Sequence, residues 1–310
     1  MQSKHRTLCI LGPTATGKTR TAALVAKTLG GEVISADSRQ VYRRMDLGTG
    51  KDYEDYTVEG ISVPVHLIDI VDPPQKFSLF DYARAFIEAF EDIKSRDALP
   101  IVCGGSGLYL EAVLARYPLV EAPKNEVLRA ELAGLSMETL QNRLKSFKTP
   151  HNVTDLNNRE RLVRAIEIAH HSILHPEDSL EIPKHEPIIF GIRWPRPLLR
   201  ERIEKRLRER LAAGLIEEVE ELLSQGVTYE DLQFYGLEYR YVGAFVCDKI
   251  NRNDMFQKLR SAICKFAKRQ ETWFRRMERS GFTIKWLDGR DGPNANSRKI
   301  ISHWVSLQTP

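Results

Sequence analysis

The chain is short of the features that define several protein classes. It has four cysteines in 310 residues, Cys9, Cys103, Cys247 and Cys264. They form no CxxC pair and no Cys/His spacing suited to zinc, so neither a disulfide scaffold nor a zinc module is expected. Two of them lie in apolar strand-like runs and read as core residues of a reduced protein. No apolar run approaches the roughly 20 residues that cross a bilayer. Strand character begins within a few residues of the start, so no leader or membrane anchor is expected and the protein is read as cytoplasmic. Internal repeats and low-complexity tracts are missing as well. Neither sign of charge dominates: 46 Lys and Arg stand against 42 Asp and Glu. That balance permits a nucleic-acid partner without requiring one.

What is present is an ordinary globular composition, 42% hydrophobic and 28% charged, long enough for one large domain or two moderate ones. The first 115 residues alternate strand-like runs (Thr7–Leu11, Glu32–Ser35, Val65–Ile70, Leu99–Cys103) with helical patterns (Lys18–Leu29, Ser78–Arg96, Leu108–Arg116). That alternation argues for βαβ units and a mainly parallel sheet. The expected fold class is α/β, a P-loop NTPase-like parallel sheet core flanked by helices, with a helical insertion lobe. Residues 1–117 and 186–310 form the expected core and 118–185 the lobe, where the chain turns polar and carries prolines at 118, 123, 150, 176 and 183. A returning strand is expected at Pro187–Ile192, one long helix over Arg196–Gln225, a helix over about 254–279, and a closing strand at Thr283–Leu287.

Residues 12–19 read Gly-Pro-Thr-Ala-Thr-Gly-Lys-Thr, a complete GxxxxGK[ST] loop between a strand and a helix. Backbone N–H groups of such a loop, backed by a helix N-terminus, cradle polyphosphate oxygens. Lys18 can reach outer phosphates and Thr19 can hold Mg²⁺. Asp37 follows the next strand and suits a magnesium ion, a substrate hydroxyl, a general base or a capping group. Arg39 and Gln40 add donors suited to a phosphate or a base edge. Gly104-Gly105-Ser106-Gly107 ends another strand, and Ser106 offers a hydroxyl or an N-cap. Asp69 and Asp72 are both candidates for a Walker B acid, while His66, His170 and His171 lack a ligand pattern. Arg161 and Arg164 share a helix face and could grip phosphates, or form a solvated face with Glu160 and Glu167. Arg200, Arg202, Arg206 and Arg210 line faces of the long helix away from its apolar stripe. Between Ile263 and Ser280 six Lys/Arg stand against two Asp/Glu, with Phe266, Trp273 and Phe274 interleaved, which fits an amphipathic helix with a solvated basic face.

Together these strings resemble the tRNA dimethylallyltransferase (tRNA isopentenyltransferase) family, over nearly the whole chain. The most specific are Ser-Ala-Asp-Ser-Arg-Gln-Val-Tyr at 35–42 and Lys-Arg-Gln-Glu-Thr-Trp-Phe-Arg at 268–275. Asp-Leu-Gly-Thr-Gly-Lys at 46–51, Gly104–Tyr109 and Arg161–Glu167 continue the likeness. The resemblance implies transfer of a dimethylallyl group from dimethylallyl diphosphate to N6 of adenosine 37 in tRNA, with Mg²⁺. By position it makes Asp37 the general base, with Thr14, Lys18 and Ser106 as further catalytic candidates. Gly12, Pro13, Thr14, Ala15, Thr16, Gly17, Lys18 and Thr19 become the diphosphate or nucleotide cradle, with Thr19 on the metal. Asp37, Ser38, Arg39, Gln40, Ser106, Glu160, Arg161, Leu162, Val163 and Arg164 become tRNA contacts. Two stretches depart from the family pattern. Glu238 stands where a Gly is usual and Tyr241 where an acid is usual, and the Asp before Arg196 is replaced by Pro195. No eukaryotic-type zinc finger follows, so a bacterial-type enzyme, monomeric, is expected. A free-nucleotide isopentenyltransferase and a P-loop kinase are the alternatives.

Overall fold

The structure is a computed structural model that describes residues 6–147 and 156–308; Pro150 lies outside them. The first half of the main unit runs β1 (Arg6–Leu11), α1 (Lys18–Leu29), β2 (Gly31–Ala36), β3 (Val65–His66), α2 (Leu79–Ser95), β4 (Leu99–Gly104) and α3 (Gly107–Leu114). A second compact unit, Arg116–Ile182, follows, with α4 (Glu126–Ala133), α5 (Met137–Phe147) and α6 (Arg159–Leu174). The main unit resumes with β5 (Glu186–Arg193), α7 (Arg196–Ala212), α8 (Leu215–Ser224), α9 (Tyr229–Tyr235), α10 (Leu237–Val246), α11 (Arg252–Arg279), β6 (Ile284–Asp288) and α12 (Gly292–Ser306).

The six strands form one sheet in the order β6-β5-β1-β4-β2-β3, and every pair is parallel. Strands covered by helices on both faces read as apolar runs, and Leu8, Cys9, Ile10 and Leu11 of β1 are all fully buried. Cys103 is buried too, so both strand cysteines are core residues. The order sets β1, β4 and β2 side by side. Three chain turns therefore leave adjacent carboxyl ends: Gly12–Thr19, Gly104–Gly107 and Asp37–Gln40. That edge is where open α/β sheets bind ligands.

Within the second unit α4, α5 and α6 share a small core of Leu128, Leu132, Leu140, Leu144, Leu162 and Ile166. A two-residue antiparallel ladder, Leu119–Val120 with Ser179–Leu180, adds strand structure that the helical periodicity of this stretch did not suggest.

Three expectations need correction. The strand beginning at Val65 stops at His66, because Leu67 and Asp69 adopt left-handed backbone with φ of 63° and 55°. The span Arg196–Gln225 is two helices, broken where Gly214 takes φ 107°. The apolar stripe itself is right, since Leu199, Ile203 and Leu207 are buried. The chain does not close on the strand at 284–288, because α12 packs back onto the core through Ile300 and Trp304.

Candidate active site around the phosphate loop

The loop after β1 is a tight backbone cradle. Ala15 and Gly17 have φ of 64° and 83°, the left-handed backbone from which anion-binding nests are built. Gly12 is irreplaceable for a local reason: a Cβ there would lie 2.8 Å from the Ile192 carbonyl oxygen of β5. Thr16 donates to the Pro13 carbonyl at 2.9 Å, and its own carbonyl accepts from the Trp194 indole N–H at 3.2 Å. Lys18 reaches back to the Pro13 carbonyl at 3.4 Å. Burial pushes the Lys18 ammonium below its ordinary value, opposed in part by Asp37 and Asp52.

Two arginines that the sequence treated only as lining the helix belong to this loop. Arg202 Nε donates to the Ala15 carbonyl at 2.9 Å and stacks over Trp194 at 4.3 Å. Arg206, one turn further along α7, donates to the Thr14 hydroxyl. Burial, aided by the neighbouring Arg210 cation, brings the Arg206 guanidinium down to about 10. Arg210 is buried and its guanidinium lies 3.5 Å from the Asp52 carboxylate. Their spacing of four residues was the available signal, but it equally describes a solvated helix face.

Asp37 leaves β2 in an Asx turn, accepting from the Arg39 N–H at 3.0 Å. Lys18, Arg39, Arg206 and Glu238 all feel its charge. Arg39 lies 5.0 Å above the Phe234 ring. Gln40 has both ends of its amide held, accepting from Ser35 at 3.0 Å and donating to the Gly50 carbonyl at 2.9 Å. One N–H remains to it for a ligand. Ser106 occupies the N-cap position of α3 but makes no side-chain cap bond. Its hydroxyl instead accepts from the Ser38 N–H at 2.9 Å, joining the β4 turn to the Asp37 turn. Glu238, which departs from the family pattern, is half-buried at the start of α10. Burial raises its carboxyl, with Arg210 and Arg206 opposing.

The other candidates sort by their partners. Asp69 accepts from Lys51 and Tyr53, and Asp72 pairs with Arg43 at 2.7 Å. His66 pairs with Glu32 at 2.7 Å, and His171 with Asp178 at 3.1 Å. In the second unit Arg159 donates to the Leu135 and Leu132 carbonyls at 2.8 and 2.9 Å. Arg164 donates to the Ala122 carbonyl at 2.7 Å and meets Glu167 at 3.4 Å. Leu162 is fully buried and Val163 packs against the same core. Glu160 and Arg161 are exposed. On α11, Phe274 is fully buried while Lys265, Lys268, Arg269 and Arg275 face solvent, the amphipathic arrangement its spacing suggests.

A parallel sheet with a phosphate loop at its carboxyl edge, basic groups converging on that loop and a carboxylate beside them define a P-loop α/β protein. The family model described as IPP transferase matches residues 40–277, and one described as Isopentenyl transferase matches residues 5–67. A protein named tRNA dimethylallyltransferase 2 from Trichlorobacter lovleyi is 54% identical over 300 residues, 96% of this chain and 97% of that protein. One named tRNA dimethylallyltransferase 1 from Syntrophus aciditrophicus is 54% identical over 91% of this chain and 93% of its own length. Among solved structures, the tRNA isopentenylpyrophosphate transferase of Bacillus halodurans matches with a TM-score of 0.69 and 30% identity, covering 99% of this chain and 100% of that one. A eukaryotic dimethylallyltransferase structure shares the fold at a TM-score of 0.78 and 20% identity, covering 99% of this chain and 80% of that one. The chain belongs to the IPP transferase family of tRNA dimethylallyltransferases.

Proposed function

We propose that the protein transfers the dimethylallyl group of dimethylallyl diphosphate to N6 of adenosine 37 in tRNA. The observation that carries this reading is the convergence of Lys18, Arg202 and Arg206 on the phosphate loop, with Asp37 on a neighbouring turn of the same edge. In the proposed reaction the allylic C–O bond breaks, its electron pair leaves with diphosphate, and N6 bonds to the freed carbon. Loop N–H groups, Lys18 and Arg206 stabilise the charge that develops on the leaving group. Asp37 takes the N6 proton, a task suited to a positioned carboxylate because a purine amine is a weak nucleophile.

The oxygen donors near the loop fit Mg²⁺. Thr19 lies in the first turn of α1, and the carboxylates of Asp37 and Asp52 act on Lys18 and Arg206. Among the described residues no group of three or more His, Cys, Asp or Glu could hold a metal by itself. That suits an ion bound by few protein oxygens together with substrate phosphates. Thr19 would hold it, and when bound it would offset diphosphate charge. Asp37 to Gln40, Ser106 and the exposed Glu160 and Arg161 are proposed tRNA contacts, while Leu162, Val163 and Arg164 would support that segment. A monomer acting in the cytoplasm is the accompanying proposal.

The test is incubation of purified protein with dimethylallyl diphosphate, MgCl₂ and unmodified tRNA bearing A36–A37, followed by nucleoside analysis. Absence of prenylated adenosine would sink the proposal, and preference for AMP over tRNA in competition would move it to a free nucleotide. Asp37→Ala should lower kcat by about 10²- to 10⁴-fold, the usual worth of a positioned base, while tRNA affinity holds. An unchanged rate would remove Asp37 from that role.

A further inference from the structure

Buried on α11 is a side-chain amide that ties two catalytic turns together. Gln270 is 5% exposed. Its Oε1 accepts from the Thr14 N–H at 2.9 Å, and its Nε2 donates to the Gly105 carbonyl at 2.8 Å. The amide orientation is unambiguous, because an N–H must face oxygen and a carbonyl must face NH₂. The β4 turn is shaped to receive it: a Cβ at Gly105 would lie 2.4 Å from Gln270 Nε2. One turn on, Trp273 covers Gly107, where a Cβ would come within 2.3 Å of its ring. Arg276 stacks on Trp273 at 4.0 Å and pairs with Glu111 of α3. One helix face, Gln270-Trp273-Arg276, is thus laid along the turn Gly104–Gly107.

From that turn the linkage continues. Ser106 accepts from the Ser38 N–H at 2.9 Å, and its own N–H donates to the Ala36 carbonyl at 3.1 Å. Asp37 is the residue between these two bonds. The chain of contacts therefore runs from Thr14 in the phosphate cradle, through Gln270 and Gly105, to Ser106 and the backbone on both sides of Asp37.

We infer that Gln270 is a positioning residue that sets the registration between the diphosphate cradle and the Asp37 turn. The inference rests on the proposed prenyl transfer for its kinetic meaning. Each turn has its own backbone bonds and keeps its own ligand-binding surface, so losing Gln270 misaligns leaving group and base without removing either. Misplacement by about 1 Å is enough to cost on the order of 10²-fold in rate.

Gln270→Glu is the sharpest probe, because it is isosteric, keeps an acceptor for Thr14 and removes the donor to Gly105. The expected result is a kcat lower by about 10- to 100-fold, with KM for tRNA and for dimethylallyl diphosphate each changed less than about threefold. In a double-mutant cycle, adding Gln270→Glu to Ser106→Ala should cost little more than Ser106→Ala alone, since both cut one linkage. Hydrogen exchange provides a readout independent of catalysis: amides of 104–107 and of 36–40 should lose protection together in Gln270→Glu. An unchanged kcat, a loss confined to KM, multiplicative effects in the cycle, or unaltered exchange at 36–40 would each overturn the inference. So would failure of Gln270→Glu to fold, which would assign the residue to the fold alone. If the wild-type protein prenylates no tRNA yet the two segments lose protection together, the functional proposal falls and the linkage stands.

Discussion

The arginines of α6 and those of α7 look alike in sequence and differ in what they do. Arg159, Arg161 and Arg164 lie along α6, with Arg161 and Arg164 three apart, and Arg202, Arg206 and Arg210 lie four apart along α7. On α6 two of the three are spent inside their own unit, Arg159 on carbonyls at the end of α4 and Arg164 on Glu167 and the Ala122 carbonyl. Arg161 alone of the three has an exposed side chain clear of those contacts. On α7 the order is reversed. Arg202 and Arg206 bind the phosphate loop itself, and Arg210 is buried beside Asp52 and Gly50. Spacing can put arginines on one face; which protein surface that face meets is set by the fold.

The sharpest way to break this contrast is Arg206→Ala. If Arg206 serves the leaving group, kcat/KM for dimethylallyl diphosphate should fall by about 10²- to 10³-fold, as for loss of one preorganised charge stabiliser. Thermal stability should change little, since the side chain is already held below its ordinary basicity by burial and by Arg210. A large fall in Tm with an unaltered kcat/KM would make Arg206 structural, and the two helices would then be equivalent.

The contrast also explains what could be read from sequence. The phosphate loop and the Asp37 turn were legible because their chemistry is local: the residues that define them are consecutive, and a strand delivers each to the sheet edge. The alternation of strands and helices was legible for the same reason. Arg206 and Gln270 were not, because their partners Thr14 and Gly105 lie 192 and 165 residues away. Helix α12 was missed because it opens on Gly292-Pro293-Asn294 and buries little beyond Ile300 and Trp304 among its apolar residues. The break at Gly214 went unseen because apolar spacing continues across it from Leu211 to Leu215.

A smaller effect tests the structural half of the contrast. Glu167 is 2% exposed and accepts two bonds from Arg129 at 2.7 and 2.8 Å and one from the Asn125 N–H at 3.0 Å, with Arg164 alongside. Chiefly because of Arg129, its carboxyl is held down at about 2. A depressed native value means that this stabilisation is present above the ordinary carboxylate range and is lost as pH falls through it toward 2. Arg129→Ala should lower Tm at pH 7 by a few degrees. The gap to wild type should then narrow as pH drops from about 4.5 to 2. Calorimetry across that range decides it, and a gap independent of pH would mean that Glu167 is not the group being stabilised.

Arg161→Ala should give the smallest change and is the most discriminating within α6. Its side chain is exposed, so its removal should leave Tm within about 1 °C of wild type. If it touches tRNA phosphate, affinity for tRNA should fall by about three- to tenfold, and the salt dependence of binding should lose about one unit of slope. KM for dimethylallyl diphosphate should not move. Arg164→Ala is the matched comparison, because the same deletion there removes bonds to Ala122 and Glu167 and should lower Tm. Equal tRNA affinity in wild type and Arg161→Ala, with an unchanged salt slope, would take α6 out of RNA recognition. Its arginines would then be wholly devoted to holding the small unit together.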